Sequence, residues 1–151
     1  MIYPEDLEEK VRLYLEESMI NASFKKYGGQ FANIKNVKED SKNLSVKNNC
    51  LIQFVTIDTN DIESDHADDT CHFNLLIAVK NLRRKSDQDL EGLQLCAKIR
   101  RYVYQTRFTF DNTNTCIAEP HSIEPIFSHT ELTLFKITLK IHIHENLQYS
   151  N

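Results

Sequence analysis

Glycine and proline are scarce in this chain of 151 residues, three of each, and tryptophan is absent. So few backbone breakers exclude collagen-like, linker-like and low-complexity architectures, and they make each glycine and proline a marked position. Cysteine pairs are also missing: Cys50, Cys71, Cys96 and Cys116 lie far apart, with no Cys-x-x-Cys spacing. That argues against a structural zinc site and leads us to expect reduced thiols packed as small hydrophobes in a cytosolic protein. No apolar run approaches the ~20 residues of a membrane span, so no membrane contact is expected. The opening Met1-Ile-Tyr-Pro-Glu-Asp turns acidic at once, without the basic-then-apolar build of a signal peptide, and a soluble cytoplasmic product is expected. An excess of positive charge is lacking too. A net charge of −4 excludes a protein whose whole surface binds nucleic acid.

The strongest pattern lies near the C-terminus, in 122–145. Phe135, Ile137, Leu139, Ile141 and Ile143 alternate with Lys136, Thr138, Lys140, His142 and His144. Strict period-two alternation of this length predicts a long strand with one face buried and one wet, in a tightly specified register. Just before it, 123–127 reads as a short partner strand broken by Pro125, and 128–131 as a polar turn.

Upstream, Pro4 and the acids Glu5, Asp6, Glu8 and Glu9 open a helix running to about residue 20. Leu7, Val11, Tyr14, Leu15 and Met19 form its apolar stripe, with Glu8, Glu9, Arg12, Glu16 and Glu17 mostly on the other side. Gly28-Gly29 read as a turn, because no strand precedes them and no helix opens on them as in a phosphate loop. A weak strand is expected over 30–37 and a lysine-rich turn over 38–43. A strand covered on both sides is expected over 50–58.

The stretch 58–69 reads as a solvated acidic loop, with weak, fortuitous divalent binding as the lesser alternative; it lacks the glycine and final glutamate of a calcium loop. Another strand, 71–82, ends in the basic turn 80–85. Ser86 and Asp89 then match a capping box opening a second helix to about residue 104. Leu90, Leu93, Ala97 and Tyr104 lie on one side of that helix, with Leu95, Ile99 and Val103 widening the stripe. Such breadth predicts a helix that is sandwiched or sits at a subunit boundary. After a polar linker over 109–115, a short strand is expected over 116–119. The order predicts one α+β domain over 1–151. Its form is a two-layer sandwich with two helices packed on a mixed, mainly antiparallel sheet and a long C-terminal hairpin.

Chemistry is hard to find. His142 and His144 point the same way, but Lys136 and Lys140 share their face and oppose a cation, so no metal is expected. No Gly-x-Ser-x-Gly elbow occurs, no cysteine stands in a recognisable setting with a histidine partner, and the paired carboxylates lie in stretches read as solvated. Neither an enzyme nor a cofactor is expected. The basic clusters 80–85 and 98–107 carry no nucleic-acid motif and read as solvated or interfacial, with room for a non-specific contact with passing DNA.

From His72 onward the succession of elements is suggestive. A strand ends in Ala78-Val-Lys-Asn-Leu-Arg83, and a helix carries Gly92-Leu-Gln-Leu-Cys-Ala-Lys-Ile-Arg-Arg-Tyr-Val103. The hairpin Ser-Ile-Glu-Pro-Ile-Phe-Ser-His-Thr-Glu-Leu-Thr-Leu-Phe-Lys-Ile-Thr-Leu-Lys-Ile-His-Ile-His closes it. This succession resembles the Mu-like tail-terminator and tail-completion proteins of contractile-tailed phages and prophages. The resemblance implies a subunit of a homo-oligomeric ring, usually hexameric, on the head-proximal end of a tail tube. Such a ring stops tube and sheath growth and meets the head–tail connector; the protein would be assembled in the bacterial cytoplasm and reside in the virion tail. The acidic first helix (Glu8, Glu9, Arg12) and the basic turn (Arg83, Arg84, Lys85) are then expected to pair across subunits. Lys136, Thr138, Lys140, His142 and His144 are expected to face tube or lumen. The other reading is a non-enzymatic adaptor or regulatory module of similar layer order.

Overall fold

The computed structural model describes residues 3–18, 20–26, 47–63, 65–80, 85–109, 115–128 and 132–146. Among them are two helices, α1 (Pro4–Glu16) and α2 (Lys85–Val103). The six strands are β1 (Ser23–Lys26), β2 (Asn48–Ile62), β3 (His66–Val79), β4 (Arg107–Thr109), β5 (Thr115–Ser128) and β6 (Thr133–Asn146). The strands form one sheet in the order β1-β2-β3-β6-β5-β4. Only β1 and β2 are parallel, so the sheet is mixed and mainly antiparallel, and the fold is α+β.

β6 keeps the register its alternation demands. Phe135, Ile137, Leu139, Ile141 and Ile143 are buried, and they join Cys71, Phe73, Leu75, Ile77 and Val79 of β3 in the main core. Both helices contribute to this same cluster, α1 through Leu7, Val11 and Leu15 and α2 through Leu95, Cys96, Ile99 and Val103. A smaller cluster of Leu51, Leu76, Ala78, Leu132 and Leu134 occupies the opposite face, at one end of the sheet. All four cysteines are free and buried, and burial pushes the Cys71, Cys96 and Cys116 thiols up to about 12, so they stay protonated at neutral pH.

Several sequence expectations change. β2 and β3 run on through the stretch read as an acidic loop, pairing Asp58 with Thr70, Thr59 with Asp69 and Ile62 with Ala67. The ladder needs only backbone groups, so it persists where neither face carries an apolar pattern. β2 is not a covered central strand along its length: β1 pairs with it only from Asn49 to Ile52, and residues 55–62 are exposed. The segment upstream of the last turn is one long strand, β5, not two short pieces. It absorbs Pro120 and Pro125 by register shifts beside each. Proline lacks a ladder donor, and bulges of this kind are how a strand accommodates it.

α2 begins at Lys85, one residue ahead of the expected start at Ser86. Asp89 accepts hydrogen bonds from Ser128 Oγ (2.7 Å) and Thr133 Oγ1 (2.6 Å), and the buried Gln88 amide donates to Thr133 Oγ1 (2.7 Å). These bonds seat the start of α2 over the junction of β5 and β6. Gly92 closes the approach, because a Cβ there would run into the Phe135 ring. At the far end, Tyr14 Oη donates to the Tyr102 carbonyl (3.0 Å) and its ring stacks on Tyr102 at 4.4 Å, tying α1 to the end of α2. α1 itself stops at Glu16, short of the expected residue 20. The weak strand over 30–37, the turn over 38–43, Gly28-Gly29 and Met19 lie outside the described residues.

Candidate functional surfaces

α2 has two apolar sides. Leu95, Cys96, Ile99 and Val103 meet the sheet. At 100° per residue, Leu90, Leu93, Ala97 and Tyr104 fall within about 60° of one another on a different side. That second side is open: Leu90 is 56%, Leu93 48% and Tyr104 55% exposed, and Ala97 is exposed as well. Beside it a groove of about 430 Å³ is lined by Ala97, Lys98, Arg100, Arg101 and Ile123. Arg100 Nε donates to the His121 carbonyl (3.2 Å), holding this guanidinium against β5. The surface is therefore an apolar stripe edged by cations, one of them held against β5.

The outer strip of β6 looks cationic in sequence, but the fold supplies carboxylates. Lys136 Nζ lies 3.4 Å from Glu124, His142 Nε2 2.7 Å from Glu119, and His144 Nδ1 2.5 Å from Asp68. Lys140 sits opposite Glu119 on one side and His72 on the other. Glu119's carboxyl is held below its usual range, first by its hydrogen bond to His142 and further by the His121 and Lys140 charges. On β3, His72 Nε2 reaches Asp58 at 2.9 Å, and Thr70 Oγ1 lies 3.4 Å from His142 Nδ1. Thr138, half-buried, stands opposite Asn74. This face is a ladder of opposite charges, which mutes the positive field that the sequence alone suggests.

The expected subunit-pairing residues fare differently. Glu8 is buried, at 4% exposure, and accepts a hydrogen bond from the Phe54 amide (3.1 Å). It cannot act as an exposed interface acid: in β2 beyond the end of β1, this N–H has a side-chain acceptor, and the carboxylate is drawn in to serve it. Glu9 and Arg12 are bound to each other within α1, Arg12 also to Glu16 (2.6 Å) and Glu9 also to Lys26 (3.1 Å). The Arg12 guanidinium, ahead of Lys26, lowers the Glu9 carboxyl to about 2. Arg83, Arg84 and the side chain of Lys85 lie outside the described residues.

Sequence reasoning missed one gathering of donor groups. Asp61, Glu63 and His66 converge at the end of the β2–β3 pair. The sequence of this acidic run allowed only weak, fortuitous divalent binding and singled out no set of donors. The long β2–β3 pairing brings them together. Neither a family model nor a curated protein matches the chain.

Proposed function

We propose that this chain is a non-enzymatic structural subunit of a larger assembly, of the tail-terminator kind that it resembles. The observation that carries the reading is the open apolar stripe on α2. Covering one leucine side chain is worth roughly 1.5–3 kcal/mol, so leaving Leu90, Leu93 and Tyr104 in water makes sense where another protein surface covers them. In this reading the domain is a two-layer sandwich with a long C-terminal hairpin, and α2's outer side is the subunit boundary. Copies close a ring, hexameric by resemblance, on a tail tube inside the virion, with tube, sheath and head connector as neighbours. The ladder on β6 then serves as a polar surface for such a neighbour, and passing DNA meets it at most non-specifically.

The test is solution mass over a range of concentrations, by sedimentation velocity and light scattering. The wild type is expected to form a discrete oligomer, and Leu93→Lys to lower the mass to that of one chain while keeping the wild-type circular dichroism. A wild type that stays single at every concentration, with and without a tail-tube protein, would sink the reading.

A second reading draws on the open edge of β2. Val55 and Ile57 are 49% and 41% exposed there, and no described strand pairs on that side beyond Ile52. An adaptor would take an extended partner segment on this edge. A monomer whose β2 amides gain hydrogen-exchange protection only with a partner present favours it.

A further inference from the structure

The end of the β2–β3 pair holds two imidazoles and several carboxylates drawn from three strands. Asp61 is next to last in β2, Glu63 follows the strand and His66 opens β3; one ligand atom of each lies within 4.8 Å of the others. His66 Nδ1 is 3.0 Å from Asp65 Oδ1 and 3.8 Å from Glu63 Oε2, while Nε2 faces Asp61 Oδ2 at 3.8 Å. β6 adds His144, whose ring lies beside that of His66 with centroids 5.4 Å apart and planes at 34°. The sheet register sets this meeting, since Asp68 pairs with His144 and His66 with Asn146. His144 is likewise tied through Nδ1, to Asp68 at 2.5 Å.

Three features distinguish this cluster from a patch of exposed acids. The imidazoles are near neighbours: two rings ligating one tetrahedral ion at nitrogen distances of about 2.0–2.1 Å have centroids about 5 Å apart, and a turn of the exposed His144 ring is what brings its nitrogen into the Asp61, Glu63 and His66 gathering. Each imidazole is anchored through Nδ1 by a carboxylate, which keeps Nε2 as the remaining donor and is the usual support for a ligating histidine. The charge that opposes a cation elsewhere on β6 is distant here, since Lys140 lies four residues from His144, about 13 Å along the strand. A cavity of about 280 Å³ lined by Asp68, His142 and His144 adjoins the place.

We propose that His66, His144, Asp61 and Glu63 bind one divalent transition-metal ion, with Asp65 and Asp68 orienting the two imidazoles. Mixed nitrogen and oxygen donors select zinc, cobalt or nickel over calcium, which takes six to eight oxygens. The bound ion pins the tip of β2–β3 to β6. This site is independent of whether the chain assembles.

The test uses untagged protein titrated with Zn²⁺ by calorimetry and with Co²⁺ by visible absorption. One ion per chain is expected, with cobalt bands of four-coordinate intensity. His66→Gln and His144→Gln should each weaken Zn²⁺ binding at least about tenfold, the lower end for disturbing a metal's surroundings. His72→Gln, on the same sheet face but outside the cluster, should leave it unchanged. These side chains lie at the surface, and thermal melts of each apo variant matching the wild type confirm that the fold is intact. The proposal is overturned by a wild type without saturable Zn²⁺ binding. Equal loss in His72→Gln, or displacement of Zn²⁺ by equimolar Ca²⁺, overturns it as well.

Discussion

Glu8 and Glu9 are neighbours with opposite fates. Glu8 turns inward to the Phe54 amide, while Glu9 stays at the surface between Arg12 and Lys26. Glu9 carries the testable pH signature. Its folded-state pKa is depressed, to about 2 from 4.5. A depressed carboxyl contributes stability above its unfolded pKa, and that contribution is lost as pH falls through the folded value. Glu9→Gln should therefore melt slightly below wild type at neutral pH, and the gap should close between about pH 4.5 and 2. The effect is small because the pair is solvent-exposed. A gap in melting temperature that persists unchanged at pH 2 would mean that packing, not charge, separates the two proteins. Both acids were visible in sequence as helix-start residues, but helical phase alone does not say which one a strand amide will recruit.

At the scale of elements, α2 and β6 show how close packing sets what each position tolerates. Gly92 lies buried in the middle of α2, where alanine has the better helix propensity by about 1 kcal/mol. Its missing Cβ is what lets the helix lie against Phe135, itself only 4% exposed. Overpacking a filled core costs about 1–3 kcal/mol, so the clash outweighs the propensity gain. Gly92→Ala is expected to lower stability in urea unfolding, and a more stable variant would show that the Phe135 ring yields freely. The two edges of the sheet differ in a related way. β5 carries Pro120 and Pro125, and Arg100 takes one of its carbonyls, whereas β2 beyond Ile52 has no proline. Prolines blunt an edge against pairing with a foreign strand, which leaves β2 as the more receptive side. The prolines were legible as breakers. That β5 would bend through both and continue was not, because the ladder on β6 supplies the compensation.

For the whole molecule, if copies assemble as proposed, the nature of the surfaces separates two ways of doing so. Contacts built on the α2 stripe are apolar and should survive high salt, since screening acts on charges. Pairing of the acidic α1 with the basic turn over 80–85 would instead weaken steeply between 0.1 and 1 M salt as the Debye length shrinks from about 10 to about 3 Å. We expect the oligomer mass at 1 M sodium chloride to equal that at 0.1 M. Dissociation at high salt would shift the contact to the charged surfaces.

Period-two alternation determined β6, its buried face and its register, because a one-residue slip would put five apolar side chains into water. The 3.6-residue stripes likewise determined both helices and showed that α2 is apolar on more sides than one. Only the tertiary structure decided which of those sides the sheet covers. It alone continued β2 and β3 through an acidic run without an apolar pattern, and set a carboxylate within reach of Lys136, His142 and His144. The physical reason is one of range. Periodicity records the burial demands of neighbours along the chain, whereas cross-strand pairing joins residues tens of positions apart through backbone groups that every sequence shares.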